Sequence, residues 1–421
     1  MKKNSLKIIF LALLAWTAAA PASVWSETNQ WNQQWEDRFS DWIKNSFNEE
    51  IFVSGRYKDI STDCADAVYL SRAIFSYENK LPFVMLDPSG GSSKISNRMS
   101  RFDGSSNEFT RFKRFATYIS EMGDTKTLPK DTYPIAIRRE YVRSGSVWSR
   151  PRIARKNFWG FLFGGSVKED PGHAEVVKNV TETGAIELIG STVPSAVRKL
   201  ISTSSLVFMP IETSTGLRKW MEPEWYGQSV RSYPGFSMEQ FQMGASTDSE
   251  NQKYDNYSTK ESSSGRDLSD WTKEVQTRLQ LREENKEEAM YRMGSNLCNL
   301  VQARVDTVLK SEMRRQELRG TCMNAEDYDS YSTPSRDKRI LATIEEMISV
   351  GGEWGFTIRG RLPKMRKYME RCPDVKITPE KTVRLYDIAM AYAKDDISSN
   401  PNDKLTARWG LEDNGNDCPT Y

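Results

Sequence analysis

Two residues of this 421-residue chain could together perform covalent chemistry. Cys64 lies in "STDCADAVYLSRAIFSYENKLPF", residues 61–83, and the only histidine, His173, lies about 110 residues downstream in "EDPGHAEVVKNVTETGAIELIGSTVP", residues 169–194. A thiol beside an imidazole is the minimal set for nucleophilic catalysis, in which the ring takes the thiol proton and later protonates a leaving amine. Cysteine parity favours a free thiol at this position. Of five cysteines, Cys298, Cys322, Cys372 and Cys418 fall in the last third of the chain, which leaves Cys64 unpaired if those four form two disulfides.

The local elements needed to position the pair are readable. Asp63 is a suitable N-cap, Cys64 is then the first helical residue, and Asp66 occupies the third helical position, where its carboxylate can bond back to the cap. Free N–H groups of a first helical turn favour a thiolate, whereas the flanking carboxylates of Asp63 and Asp66 oppose it. Downstream, Asp170-Pro171-Gly172 signals a turn, His173 opens an alternating strand, Gly184 closes a hairpin and residues 185–190 form the return strand. His173, Glu175, Val177 and Asn179 share one face of that strand.

The stretches "DCADAVYLSRAIFSYENKLPF" and "GHAEVVKNV...GAIELIG" resemble the papain-like cysteine hydrolase superfamily, particularly its bacterial cell-wall branch of NLPC-type peptidases and CHAP amidases, with an echo of transglutaminase-like domains. The resemblance covers roughly residues 30–215 and rests on these two short motifs. It implies an α+β fold in which a helix carrying the cysteine packs on an antiparallel sheet, with Cys64 as nucleophile and His173 as general base. A third polar residue that orients the imidazole is then expected on or after the following strand. Glu187, Ser191 and Thr192 stand in that neighbourhood, and Asp131, in "DTYPIAI" with Tyr133, is a further candidate.

Around these motifs the chain divides by composition. Residues 1–22, with lysines at 2, 3 and 7, an apolar run and Ala20-Pro21-Ala22, have the layout of a secretory signal peptide. Residues 27–240 form the expected papain-like domain. It begins with an aromatic stripe of Trp31, Trp35, Phe39, Trp42 and Phe47 at helical spacing, and it contains a long Ser- and Gly-rich segment at 84–112 and a helix in "EFTRFKRFATYISEM". The aromatics of "RKNFWGFLFGG" and "LRKWMEPEWYGQ" fit either a substrate groove or a core. Residues 243–269 have almost no aliphatic side chains and are expected to be a flexible linker. Residues 270–421 are expected to be a mainly α, disulfide-stapled domain whose long first helix is interrupted at Gly294-Ser295. If that helix runs from Cys298 to about Leu318, its rise of roughly 30 Å disfavours a Cys298–Cys322 bridge and leaves the other two connectivities open.

Composition bounds the function. Removing the three leader lysines from a formal charge of +2 leaves about −1 with no basic stripe, so no nucleic-acid partner is expected. There is no phosphate-binding glycine loop, no dinucleotide fingerprint and no zinc-ligand spacing, so neither cofactor nor metal is expected. The resulting expectation is an exported protein, periplasmic or extracellular, with no integral membrane span in the mature chain. By the resemblance it would be a cysteine hydrolase that cleaves an amide or peptide bond, with a peptide or peptidoglycan-type substrate. The alternative is a non-enzymatic envelope protein on a degenerate papain-like scaffold, whose C-terminal domain would bind a protein partner.

Overall fold

The computed structural model describes residues 23–421 apart from 91–92, 152, 155–168, 171, 205, 207, 211–212, 245–267, 353–356, 379 and 414. The expected signal peptide, the aromatics of 155–165 and most of the expected linker lie outside the described residues.

The aromatic stripe becomes α1 (Gln33–Asn45), capped by Asn32, whose side chain accepts from Trp35 N. Its buried apolar residues, Phe39 and Ile43, and the following Phe47 fill a core with α2 (Cys64–Glu78) and α3 (Glu108–Met122). Each such side chain contributes about 2 kcal/mol on burial. Every residue of α2 from Cys64 to Tyr77 is buried, because this helix lies between α1, α3 and the sheet. That enclosure includes Arg72, whose guanidinium pairs with Glu36 and lies 3.3 Å from the centre of the Trp31 ring.

The segment 84–112, expected to be irregular, contains a small hairpin of β1 (Val84–Leu86) and β2 (Lys94–Ser96). A short helix, α4 (Leu128–Asp131), leads into the main sheet. Its strands are β3 (Thr132–Pro134), β4 (Val147–Arg150), β7 (His173–Val180), β8 (Ile186–Gly190), β9 (Ile201–Thr203) and β10 (Gly216–Trp220), while β5 (Ile153–Ala154) and β6 (Glu169–Asp170) form a separate two-stranded ribbon. The six-stranded order is β3-β10-β4-β7-β8-β9, antiparallel throughout. The chain is therefore of mixed helix and antiparallel sheet.

One face of the sheet, carrying Val147, Ala174, Val176 and Ile189, packs on the α1–α3 core. The other, carrying Trp148, Val177 and Leu188, is covered by Phe208 and by α5 (Leu268–Leu279), which buries Trp271, Val275 and Leu279. Trp148 is stacked against both Phe208 and Trp271. The expected start of the C-terminal domain at residue 270 therefore falls inside a helix that completes the N-terminal core. Gly184 shows how tightly α5 sits, since a Cβ there would lie 2.1 Å from the Gln276 carbonyl oxygen, and its φ of +81° also disfavours a side chain.

The helical unit begins with α6 (Lys286–Glu317), which runs unbroken through Gly294-Ser295. Gly294 is a point of close approach rather than an interruption, because a Cβ there would lie 2.1 Å from the carbonyl oxygen of Tyr368. Around α6 pack α7 (Ala325–Tyr331), α8 (Pro334–Gly351), α9 (Ile358–Arg361), α10 (Arg366–Met369) and α11 (Leu385–Ala393), with a two-stranded ribbon of β11 (Val375–Lys376) and β12 (Thr382–Val383). Leu297, Val301, Ile340, Ile344 and Met347 lie in their shared core. The disulfides are Cys298–Cys372 and Cys322–Cys418, with Cα separations of 5.7 and 5.5 Å. No helix among the described residues is long and apolar enough to cross a membrane.

Candidate functional site

Cys64 opens α2 with a reciprocal cap: Asp63 accepts from Asp66 N, and Asp66 Oδ2 accepts from Asp63 N at 2.7 Å. The helix start is pinned to the far end of the sheet by Thr62, which donates to Ser191 Oγ at 3.0 Å and pairs with Ala196 across an isolated bridge. These contacts press the thiol inward, and Cys64 is a free but buried cysteine, 6% exposed. Burial foremost, and then the Asp63 charge, push the thiol up to about 12, against the opposing pull of the backbone N–H groups of Ala174 and Ala65. Asp66 is pushed up to about 8 by burial and by Asp63, although Asp63 N and Ser195 Oγ donate to it.

The histidine is held elsewhere. Successive side chains of a strand point to opposite faces, and in β7 it is Ala174 and Val176 that join the core around α2. His173 and Glu175 point to the other side. There His173 Nε2 lies 2.9 Å from Glu175 Oε2, and Arg339 of α8 lies 3.9 Å from the same oxygen. Glu175 is buried and accepts from Thr203 Oγ1 at 3.2 Å. Burial opposes the charge of Glu175, but His173 and Arg339 hold its carboxyl below the usual range. Alternation along β7 thus sets His173 on the strand face opposite Ala174 and Val176, and among the described residues no hydrogen bond joins it to Cys64, the expected partner.

The candidate orienting residues are dispersed as well. Glu187 of β8 accepts from Asn179 Nδ2 at 3.0 Å. Ser191 bonds to Thr62, and Thr192 Oγ1 accepts from Arg336 Nη2 at 2.5 Å. Asp131 accepts from Tyr69 and Tyr226 hydroxyls and from Leu86 N, so it joins α2, β1 and the segment after β10. Burial pushes its carboxyl up to about 6 in spite of those three donors. Tyr133 is buried and donates to the Pro234 carbonyl. The aromatics of "LRKWMEPEWYGQ" pack internally, with Trp220 5.6 Å from Tyr69 and Trp225 stacked 5.0 Å from Tyr233.

Glu175 engages His173, and Arg339 approaches the same carboxylate. Glu175 carries a sequence signal, since it shares the histidine's strand face. Arg339 carries none, because it belongs to a helix of the other unit. Nearby contacts also cross between the units: Ser204 N donates to Asn296 Oδ1, Arg336 donates to the Val193 carbonyl, and Arg198 pairs with Asp306 at 3.5 Å.

Two of the clefts among the described residues have volumes of about 610 Å³, and neither is lined by Cys64 or His173. The first lies between β8, β9 and α6 and is polar, with Glu187, Thr203, Ser204, Arg292 and Asn299 on its walls. The second lies beside β3. Among the described residues no group of His, Cys, Asp and Glu side chains is arranged to hold a metal ion. Fold and site together define a two-unit α+β protein whose helical unit is cross-linked by two disulfides. Comparison with known protein families, with curated proteins and with solved structures finds no match to the chain.

Proposed function

We propose that the protein is an exported, non-catalytic binding protein of the cell envelope, in which a papain-like helix-on-sheet arrangement serves as scaffold. The carrying observation is the state of the two reactive groups: a buried thiol pushed up to about 12, and an imidazole engaged with Glu175. A thiol in this state is almost wholly protonated at neutral pH, and among the described residues no hydrogen bond joins it to the imidazole. Two disulfides and a leader-like N-terminus support export. The concave surface on which this reading places a partner is the polar cleft between β8, β9 and α6.

The test is to treat the native protein with a thiol-directed electrophile and locate the label by mass spectrometry. No native labelling of Cys64 is expected. Rapid labelling, together with an amidase activity abolished by Cys64→Ala, would overturn the proposal. The hydrolase reading, with a peptide or peptidoglycan-type substrate, keeps one observation in its favour. The N–H groups of Ala65 and Ala174 flank the sulfur as oxyanion donors would. It requires a rearrangement that uncovers Cys64 and brings His173 around β7.

A further inference from the structure

We infer that the cleft beside β3 is a binding site for an amphipathic anion, an aliphatic chain that ends in a carboxylate or phosphate head. This stands whichever reading of Cys64 holds. The walls of the cleft contain two arginines, Arg218 and Arg231, and no aspartate or glutamate.

Arg218 is 2% exposed, and its partners among the described residues are neutral. Its Nε donates to Thr132 Oγ1 at 2.7 Å, its Nη2 to the carbonyls of Thr132 and Pro129 at 2.8 and 3.2 Å, and its Nη1 to the Thr213 carbonyl. A guanidinium has five N–H donors. Among the described residues four of these donors find acceptors, which leaves one on Nη1. Among the described residues no carboxylate pairs with either arginine. A buried cation without a counter-charge is costly, and an anion delivered from solution would offset that cost. Burial pushes the Arg218 guanidinium down to about 9.

The remaining walls specify the rest of the ligand. Pro134, Met221, Val230, Phe236 and Met238 present an apolar surface. Val230 and Met238, at 38% and 39%, are among the few large apolar side chains left exposed on the protein. An added peptide strand does not suit this edge, because residues 235–237 already occupy the open side of β3 through the Ile135–Phe236 bridge and the bond from Ser237 N to the Pro134 carbonyl. What fits is a slender apolar chain along Met238 and Phe236, with its charged end at Arg218 and Arg231. A cleft of about 610 Å³ is within the size range of small-molecule sites.

The experiment is calorimetric titration of the full mature protein with decanoate, decyl phosphate and decanol, each below its micellar concentration. Saturable one-to-one binding of decanoate or decyl phosphate is expected, with decanol about tenfold weaker or worse. The tighter of the two anions identifies the head group. Arg218→Met is expected to abolish binding but could also loosen the Thr132 region. The surface changes Arg231→Ala and Met238→Glu therefore carry the test, and each should weaken decanoate or decyl phosphate by about tenfold while thermal unfolding stays unchanged. The proposal is overturned if neither anion binds saturably, if decanol binds as tightly as the anions, or if both surface variants bind like the wild type.

Discussion

His173 Nε2 stands 2.9 Å from Glu175 Oε2, and this contact joins the chain's only histidine to a buried carboxylate at the junction between the sheet and the helical unit. The arrangement is structural in character, since removing one partner of a buried ionic cluster leaves the others uncompensated. Glu175→Ala is expected to cost about 3 kcal/mol in urea unfolding, because Arg339 and His173 would lose the carboxylate they both approach. Glu175 is held below the usual carboxylate range, so its contribution is present above the unfolded carboxylate pKa and is lost as pH falls through its lower folded value. The wild type should therefore lose more stability than Glu175→Gln on acidification. Equal slopes would show that Glu175 is not the group responsible.

Cys64 should be close to inert in the folded protein. With the thiol pushed up to about 12, the thiolate fraction at neutral pH is on the order of 10⁻⁵, before access is considered. Labelling by iodoacetamide should run at least ~100-fold faster in denaturant than in buffer. Comparable rates in the two solvents would mean that the start of α2 opens readily.

Asp66 should make the protein less stable as pH rises. Its folded pKa, pushed up to about 8, lies above the unfolded value, so the native state binds the extra proton. The Asp66 contribution is then greatest below about pH 4 and declines as pH rises towards about 8. Asp66→Asn should flatten that decline and raise Tm at about pH 8 by roughly 3 °C. A variant whose Tm falls in parallel with the wild type across this window would rule out Asp66 as its source.

Gly184→Ala should release α5 from the sheet. The new Cβ would meet the backbone of Gln276 and impose strain at positive φ, at a cost of about 3 kcal/mol. Trp271 reports on this directly, because its ring is buried and stacked on Trp148. A red-shifted tryptophan emission together with a lowered Tm is the expected result, and unchanged emission would count against the packing of α5.

Local elements are legible in the sequence, whereas the partners across the fold are not. Residues 31–47 announce their helix through aromatic spacing, and α2 announces its start through the Asp63 and Asp66 pattern, because both signals lie within a few residues of chain. The common face of His173 and Glu175 follows from alternation. Which face meets α2 does not, since it depends on how a helix far away in sequence docks. The rise of α6 excludes Cys298–Cys322 but cannot choose between the remaining pairings, a choice made by the packing of residues 366–372 and of the C-terminus. α5 follows a long polar stretch and is naturally grouped with the helices after it. Only the apolar cavity over Trp148, formed from distant strands, assigns it to the sheet.

The seating of Trp271 also decides how the gene can be divided. A fragment that stops at residue 244 would expose Trp148, against which the indole of Trp271 stacks. One that stops after Leu279 keeps it sealed. A protease cut anywhere within 245–267 would leave two polypeptides that co-purify, held by an apolar plug rather than by the peptide bond that was lost.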